Sequence, residues 1–310
     1  MDITVLINQL IQLFLLMGLG YFLYKIKIMD ADFNKKLTNF VLKVTMPCMI
    51  MASVFEVAED RDFSKIYLTF SVAIVMYLVL PLVGMLVAKI IRCKPENTGI
   101  YVFMTIYSNI SFMGFPVIES TLGSQALFYA AIFCMIFNIT CFSLGVKVIN
   151  HPAKSGKKIS AKEVFLHPGV WSAFVAIIIY FINPTIPQVI AGPVTSVGKL
   201  TSSLAMILMG ASLAKIPVKE VVNEVRPYIF ILIKQVIIPI LVWPLISMVI
   251  KDRTILGVTL IMLSLPIANM VVMFAIEYDR NEGLAAKNVF LSTLFSIVLL
   301  PLVLAVTFLK

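Results

Sequence analysis

A chain of 310 residues that is 60% hydrophobic and only 13% charged, with a mean hydropathy of +1.01, carries more apolar surface than a soluble core can hide. Its formal charge of +9 is not a nucleic-acid signal, because the Lys and Arg residues fall between hydrophobic blocks, where they act as orientation signals. Four cysteines without a CxxC pair and only two histidines give no reason to expect a metal site, a disulfide framework or a bound cofactor.

Ten apolar blocks are long enough to be membrane spans at about 20 residues per crossing. They cover 3–24, 34–55, 66–91, 98–118, 124–149, 165–183, 187–214, 227–250, 254–276 and 284–309. Asp2 precedes the first block and Lys25 follows it, which argues against a cleaved signal peptide. Gly192, Pro193, Gly198 and Lys199 dilute the seventh block, and the fourth and ninth carry interior helix breakers. The polar stretch NHPAKSGKKISAK, from Asn150 to Lys162, is the longest connection on its side and reads as a hinge. It divides the chain into a first five-helix unit (1–149), a short basic hinge (150–163) and a second five-helix unit (164–310).

With ten spans, alternate connections lie on opposite sides. One side collects Lys25, Lys27, Lys35, Lys36, Lys89, Arg92, Lys94, Lys147, Lys154, Lys157, Lys158, Lys162, Lys215, Lys219, Arg226, Arg280 and Lys287, which is 17 cations. The other holds six, Arg61, Lys65, Lys199, Lys251, Arg253 and Lys310. The positive-inside rule puts the first set in the cytoplasm and both termini outside, in a multi-pass protein of the cell membrane.

Five spans per half means that any internal repeat is inverted across the membrane. KLT at Lys36–Leu37–Thr38 recurs as Lys199–Leu200–Thr201, and Met46–Pro47 corresponds to Met209–Gly210 at the same interval of 163. Glu119 and Glu277 are separated by 158, each just past an interrupted stretch. The expected fold is an all-α polytopic membrane protein, built as two inverted five-helix repeats in which helices 4 and 9 are broken crossover helices.

The fourth span contains SNISFMGFP, Ser108 to Pro116. Pro116 lacks an N–H and its ring opposes the carbonyl of Phe112, while Gly114 eases departure from helical geometry. Freed backbone groups are tolerated at membrane depth only against protein or a water-filled cavity. The ninth span, LSLPIANMVVMFAIEYDRN, is interrupted at Pro266 and Asn269. Paired breakers in corresponding spans point to a substrate site, where half-helix ends present partial charges.

These residues carry a family resemblance. SNISFMGFP resembles the crossover motif of the auxin efflux carrier family, which includes the plant PIN carriers and bacterial permeases of malate or malonate type. FAIEYDRNEGLAAKNVFLSTLFSIVLLPL, Phe274 to Leu302, looks like that family's last two spans, and LKVTMPCMI and ILMGASLA fit its second and seventh. The resemblance implies a scaffold and a transport domain, each built from both halves, with the site where helices 4 and 9 cross. Its polar crossover residues fall on Asn109 and near Asn269. It also makes a homodimer an expectation. Plant carriers have a Pro where this chain has Val271, so the break in helix 9 is not placed by the resemblance. The long cytoplasmic loop of many plant carriers is absent.

Within the spans, Lys43 and Lys234 are costly charges in hydrocarbon and therefore default markers of an ion or substrate path. The alternatives are snorkelling to the headgroups and, for Lys43, pairing with a carbonyl freed by Pro47. No acid lies at mid-membrane. Of the neutral polar residues, Asn138 is expected to join Ser108, Asn109, Gly114, Pro116, Pro266 and Asn269 at the site. The absence of GxxxxGK[ST] and HExxH argues against an ATPase or a zinc protease. The expected function is non-enzymatic. It is a secondary carrier of a small organic anion by alternating access, with H+ or Na+ as candidate coupling ions and a transporter-fold sensor or channel as the alternative.

Overall fold

The computed structural model describes residues 3–55, 63–150, 168–182, 184–214 and 224–308. Among them the chain forms ten helical passages. They are α1 (Ile3–Lys25), α2 (Ala31–Phe40, Val41–Thr45 and Met46–Phe55), α3 (Phe63–Ile90), α4a (Thr98–Ile106), α4b (Ile110–Gly114 and Phe115–Leu122) and α5 (Ala126–Thr140, Cys141–Gly145 and Val146–Ile149). There follow α6 (Pro168–Ile182), α7 (Gln188–Leu213), α8 (Val225–Leu232, Ile233–Ile237 and Ile238–Val249), α9a (Arg253–Ser264), α9b (Met270–Glu277) and α10 (Glu282–Phe308). The expected hinge, apart from Asn150, lies outside the described residues.

Five passages, α3, α5, α7, α8 and α10, are by length and composition alone able to cross a bilayer. Large apolar side chains point outward in quantity. Leu78 and Leu82 of α3 and Leu241, Leu245 and Met248 of α8 are each more than 60% exposed. Such faces suit hydrocarbon and not water. The molecule is an all-helical protein with several apolar helices, consistent with a polytopic membrane protein.

The segments Val41–Thr45, Ile110–Gly114 and Ile233–Ile237 are π-helical turns, and each ends two residues before a proline: Pro47, Pro116 and Pro239. The residue just ahead of each proline bonds five residues back, Met46 to Val41, Phe115 to Ile110 and Ile238 to Ile233. The widened turn gives the ring room, so the chain stays helical through a residue that would otherwise kink it.

This corrects one expectation. The interruption of helix 4 is not at Gly114 or Pro116, which lie within α4b, but at Tyr107–Asn109. Gly114 serves packing instead, since a Cβ there would come 2.8 Å from Leu265 Cδ1 in the other interrupted helix.

Helices α1 and α7 approach most closely at glycines. A Cβ on Gly210 would lie 1.8 Å from the Met17 carbonyl oxygen, and one on Gly20 would lie 1.9 Å from that of Ile207. Backbone-on-backbone contact of this kind substitutes dispersion for a hydrophobic driving force that lipid does not provide. At the ends of α3 and α5, Arg226 Nε donates to the Ile91 carbonyl (3.2 Å) and Arg280 Nε to that of Ile149 (2.9 Å). Both bonds satisfy helix-end carbonyls whose dipoles favour a cation.

Candidate functional site: two interrupted helices and a polar cavity

The breaks of α4 and α9 satisfy each other. The Asn109 N–H donates to the Pro266 carbonyl (2.8 Å), the Ala268 N–H donates to the Tyr107 carbonyl (3.0 Å), and Ser108 and Ile267 form an antiparallel bridge. Ile267 N–H is taken by Ser292 Oγ of α10 at 3.2 Å. Backbone groups stranded by one helix thus find partners in the other, as a low-dielectric interior requires. Asn109 also caps α4b, its Oδ1 accepting from the Phe112 N–H at 3.4 Å.

Lys234 enters from α8. It is 2% exposed, and its Nζ donates to Ser108 Oγ at 2.7 Å and to the Leu265 carbonyl. The ammonium therefore sits at the C-terminal end of α9a, the negative pole of that half-helix. Snorkelling is excluded for this side chain. The other candidate charge, Lys43, is exposed on the π turn of α2 and is not brought to the junction.

Beside the junction opens a cavity of about 430 Å³. Ser108, Asn109 and Ser111 of helix 4, Asn138 of α5 and Asn269 of helix 9 line it, with Thr38 and Asn39 of α2 and Met209 and Ser212 of α7 opposite. Among the described residues its polar lining is neutral. The cavity receives the opening turns of both α4b and α9b, and the first N–H groups of a helix have no acceptor in their own helix. Ser111, Asn269 and Met270 occupy those turns. Two positive half-helix poles and the amides of Asn109 and Asn269, with no carboxylate among the described lining residues, make an environment for an anion.

Of the residues expected at the site, the structure gathers Ser108, Asn109, Asn138 and Asn269 around the cavity. Pro266 is in the break, Lys234 behind it, and Gly114 and Pro116 are one to two turns along α4b. Asn138 spends its amide on the Cys134 carbonyl at 2.7 Å, leaving its oxygen as the available group. Thr38, Asn39 and Ser212 are lining residues that sequence reading missed. Thr38 sits in the KLT motif and Ser212 in ILMGASLA, so both motifs held the signal without the side that each residue faces.

The lining residues of α2, α7 and α9b lie on the stretches that run toward the basic connections near Lys25–Lys36 and Arg280. At the opposite end a smaller cavity of about 150 Å³ is lined by Glu119, Ser124, Thr195 and Lys199. There Ser202 Oγ of α7 donates to Glu119 Oε2 of α4b and ties the two helices together.

Apolar outer faces, paired helix interruptions and an interior polar cavity define a membrane transporter. The chain matches the model of the membrane transport protein family, that of the auxin efflux carriers, over residues 5–304 and belongs to that family. It is 25% identical over 297 residues to an uncharacterized transporter of Methanocaldococcus jannaschii, covering 93% of this chain and 94% of that one. An uncharacterized transporter of Methanothermobacter thermautotrophicus is 24% identical over 299 residues, covering 95% and 96%. The uncharacterized transporter YfdV of Escherichia coli K12 is 22% identical over 219 residues, covering 68% and 70%.

Proposed function

We propose that the protein is a secondary carrier of a small organic anion, a carboxylate, working by alternating access at the junction of helices 4 and 9. One observation carries the reading: the opening turns of α4b and α9b face one cavity with Asn109, Asn138 and Asn269, while a buried ammonium holds the back of the junction. The carboxylate accepts hydrogen bonds from the amides of Asn109 and Asn269 and is drawn by the positive poles of the two opening turns. Lys234 places an amine donor at the negative pole of α9a, where a coupling cation would otherwise be needed. Energy comes from an ion gradient, H+ or Na+, or from the substrate's own gradient.

In this reading α4 and α9 are the crossover helices of two inverted repeats. Ser108 and Pro266 stand 158 residues apart, the same interval as Glu119 and Glu277, which supports corresponding positions in two halves. Both termini are extracytoplasmic, the large cavity is open to the cytoplasm, and the Glu119–Ser202 tie closes the outer side. The resting state is then inward-facing.

A thermal-shift screen of the purified protein against small carboxylic acids tests the reading, because a ligand that binds the folded state raises its melting temperature by mass action. Hits are expected to drive saturable flux in proteoliposomes and to lose their shift in Asn109→Ala and Asn269→Ala. Full shifts retained in both variants, or conductance far above carrier turnover, would overturn it.

A further inference from the structure

Away from the polar cavity, α3 and α8 enclose a groove of about 400 Å³ on the outer face of the molecule. Val72, Val75 and Val79 form one wall and Val242, Leu245 and Val249 the other. Its few hydroxyls do not change its character; that of Thr259, for one, is bonded to the Ile255 carbonyl at 2.7 Å. The groove follows α3 from Leu68 to Val83, about 22 Å at 1.5 Å per residue. That exceeds the roughly 15 Å of one leaflet's hydrocarbon, half of the bilayer core.

Among the described residues, one end of the groove is basic. Val249 and Ile250 line it, and the chain then runs directly through Lys251, Asp252 and Arg253. Lys65, at the start of α3, bridges to Asp252 at 2.9 Å and so neutralises the one acid at that end among the described residues. Lys251 and Arg253 are both exposed. The inner end is different. Met76, Leu80, Ile238 and Leu263 belong at once to the groove and to the small chamber that contains Ser108 and Lys234.

We infer that this groove is a binding site for an anionic phospholipid. One acyl chain lies along α3 and α8, and the phosphate is held by Lys251 and Arg253. Charge complementarity selects the headgroup, because an apolar trough ended by two exposed cations matches an anionic lipid better than a zwitterionic one. The acyl chain seals the apolar wall behind Lys234 and keeps water from the ammonium. The inference stands independently of the carrier reading, since it rests on a groove and cations that the polar cavity does not use.

The test places wild-type protein in nanodiscs of equimolar phosphatidylglycerol and phosphatidylcholine, releases it in mild detergent, and reads retained lipid by native mass spectrometry. Wild type is expected to keep phosphatidylglycerol over phosphatidylcholine by about 30-fold, at roughly fivefold per cation. K251Q/R253Q, which alters only exposed side chains, is expected to retain lipid without that preference. Val79→Trp, which fills the groove, is expected to lose both lipids. Leu245→Trp repeats the groove test from the other wall should Val79→Trp fail to fold. An unchanged preference in K251Q/R253Q overturns the inference. So does undiminished lipid in the folded tryptophan variants, or a dimer that Val79→Trp dissociates, which would make the groove a contact between two copies.

Discussion

Lys234 shows how one side chain can couple elements that the sequence keeps far apart. Its ammonium bonds Ser108 of one interruption and Leu265 of the other. A buried cation is tolerated only when its donors are satisfied, and removing one partner is far costlier than never having the pair. Lys234→Met is expected to reduce flux in proteoliposomes at least tenfold while the protein still folds, because Met fills the volume and removes the cost of burying the amine, and the groups left without this donor, Ser108 Oγ and the Leu265 carbonyl, are neutral. Flux at the wild-type rate would assign the lysine a purely structural role. A second residue-scale expectation concerns Asp252. Burial pushes its carboxyl upward, but the Ile255 N–H, the Lys65 ammonium and the Thr254 N–H together hold it below the ordinary carboxylate range. A depressed acid stabilises the fold above its unfolded value of about 3.9 and stops doing so as pH falls through the folded one. Melting temperature should therefore drop on acidification below about pH 4, and Asp252→Asn should flatten that part of the profile. The same substitution removes the charged acceptor from the N-cap of α9a; full truncation to Ala would cost about 1 kcal/mol.

At the scale of elements, the contact of α1 with α7 depends on absent side chains. Gly210→Ala puts a methyl carbon 1.8 Å from the Met17 carbonyl, a collision with backbone that no rotamer relieves. It is expected to destabilise by at least about 2 kcal/mol, at the upper end for a point change. Gly18→Ala on α1, the facing helix, meets nothing within 4 Å and should be neutral or mildly stabilising, by up to about 1 kcal/mol from helix propensity. Melting curves of the two variants in one detergent measure the difference, and equal curves would contradict the close approach. The prolines teach a related lesson. Pro116 was legible as a helix breaker, yet a π turn absorbs its missing N–H locally and α4b continues. The true interruption at Tyr107–Asn109 contains no proline, because its freed groups are satisfied by Pro266 and Ala268 from a distant segment. A local rule could flag the neighbourhood and could not locate the break.

For the whole molecule, the unequal cavities make a directional prediction. A single cysteine at Ser212, in a background with Cys48, Cys93, Cys134 and Cys141 replaced by Ala, should be modified by a membrane-impermeant maleimide only from the cytoplasmic face. One at Thr195 should react only from outside, and more slowly than in a Ser202→Ala background, where the tie to Glu119 is lost. Labelling of Ser212→Cys from outside in intact cells would reverse the proposed topology.

Composition and block length determined by themselves that the chain is an apolar, all-helical membrane protein, because hydrocarbon imposes its demand on every residue of a span and so writes it along the whole sequence. The family was likewise legible in SNISFMGFP and the Phe274–Leu302 stretch, where the residue types are unusual for their surroundings. Asn109, Asn138 and Asn269 could be nominated from polarity at depth. Which of them share a cavity, that Thr38, Asn39 and Ser212 face it too, and that Lys234 rather than Lys43 reaches the junction were decided only by tertiary structure. The two lysines are alike in their local setting, each within a π turn ahead of a proline. Only the packing of α8 against both interrupted helices gives one of them a serine hydroxyl and a stranded carbonyl to hold.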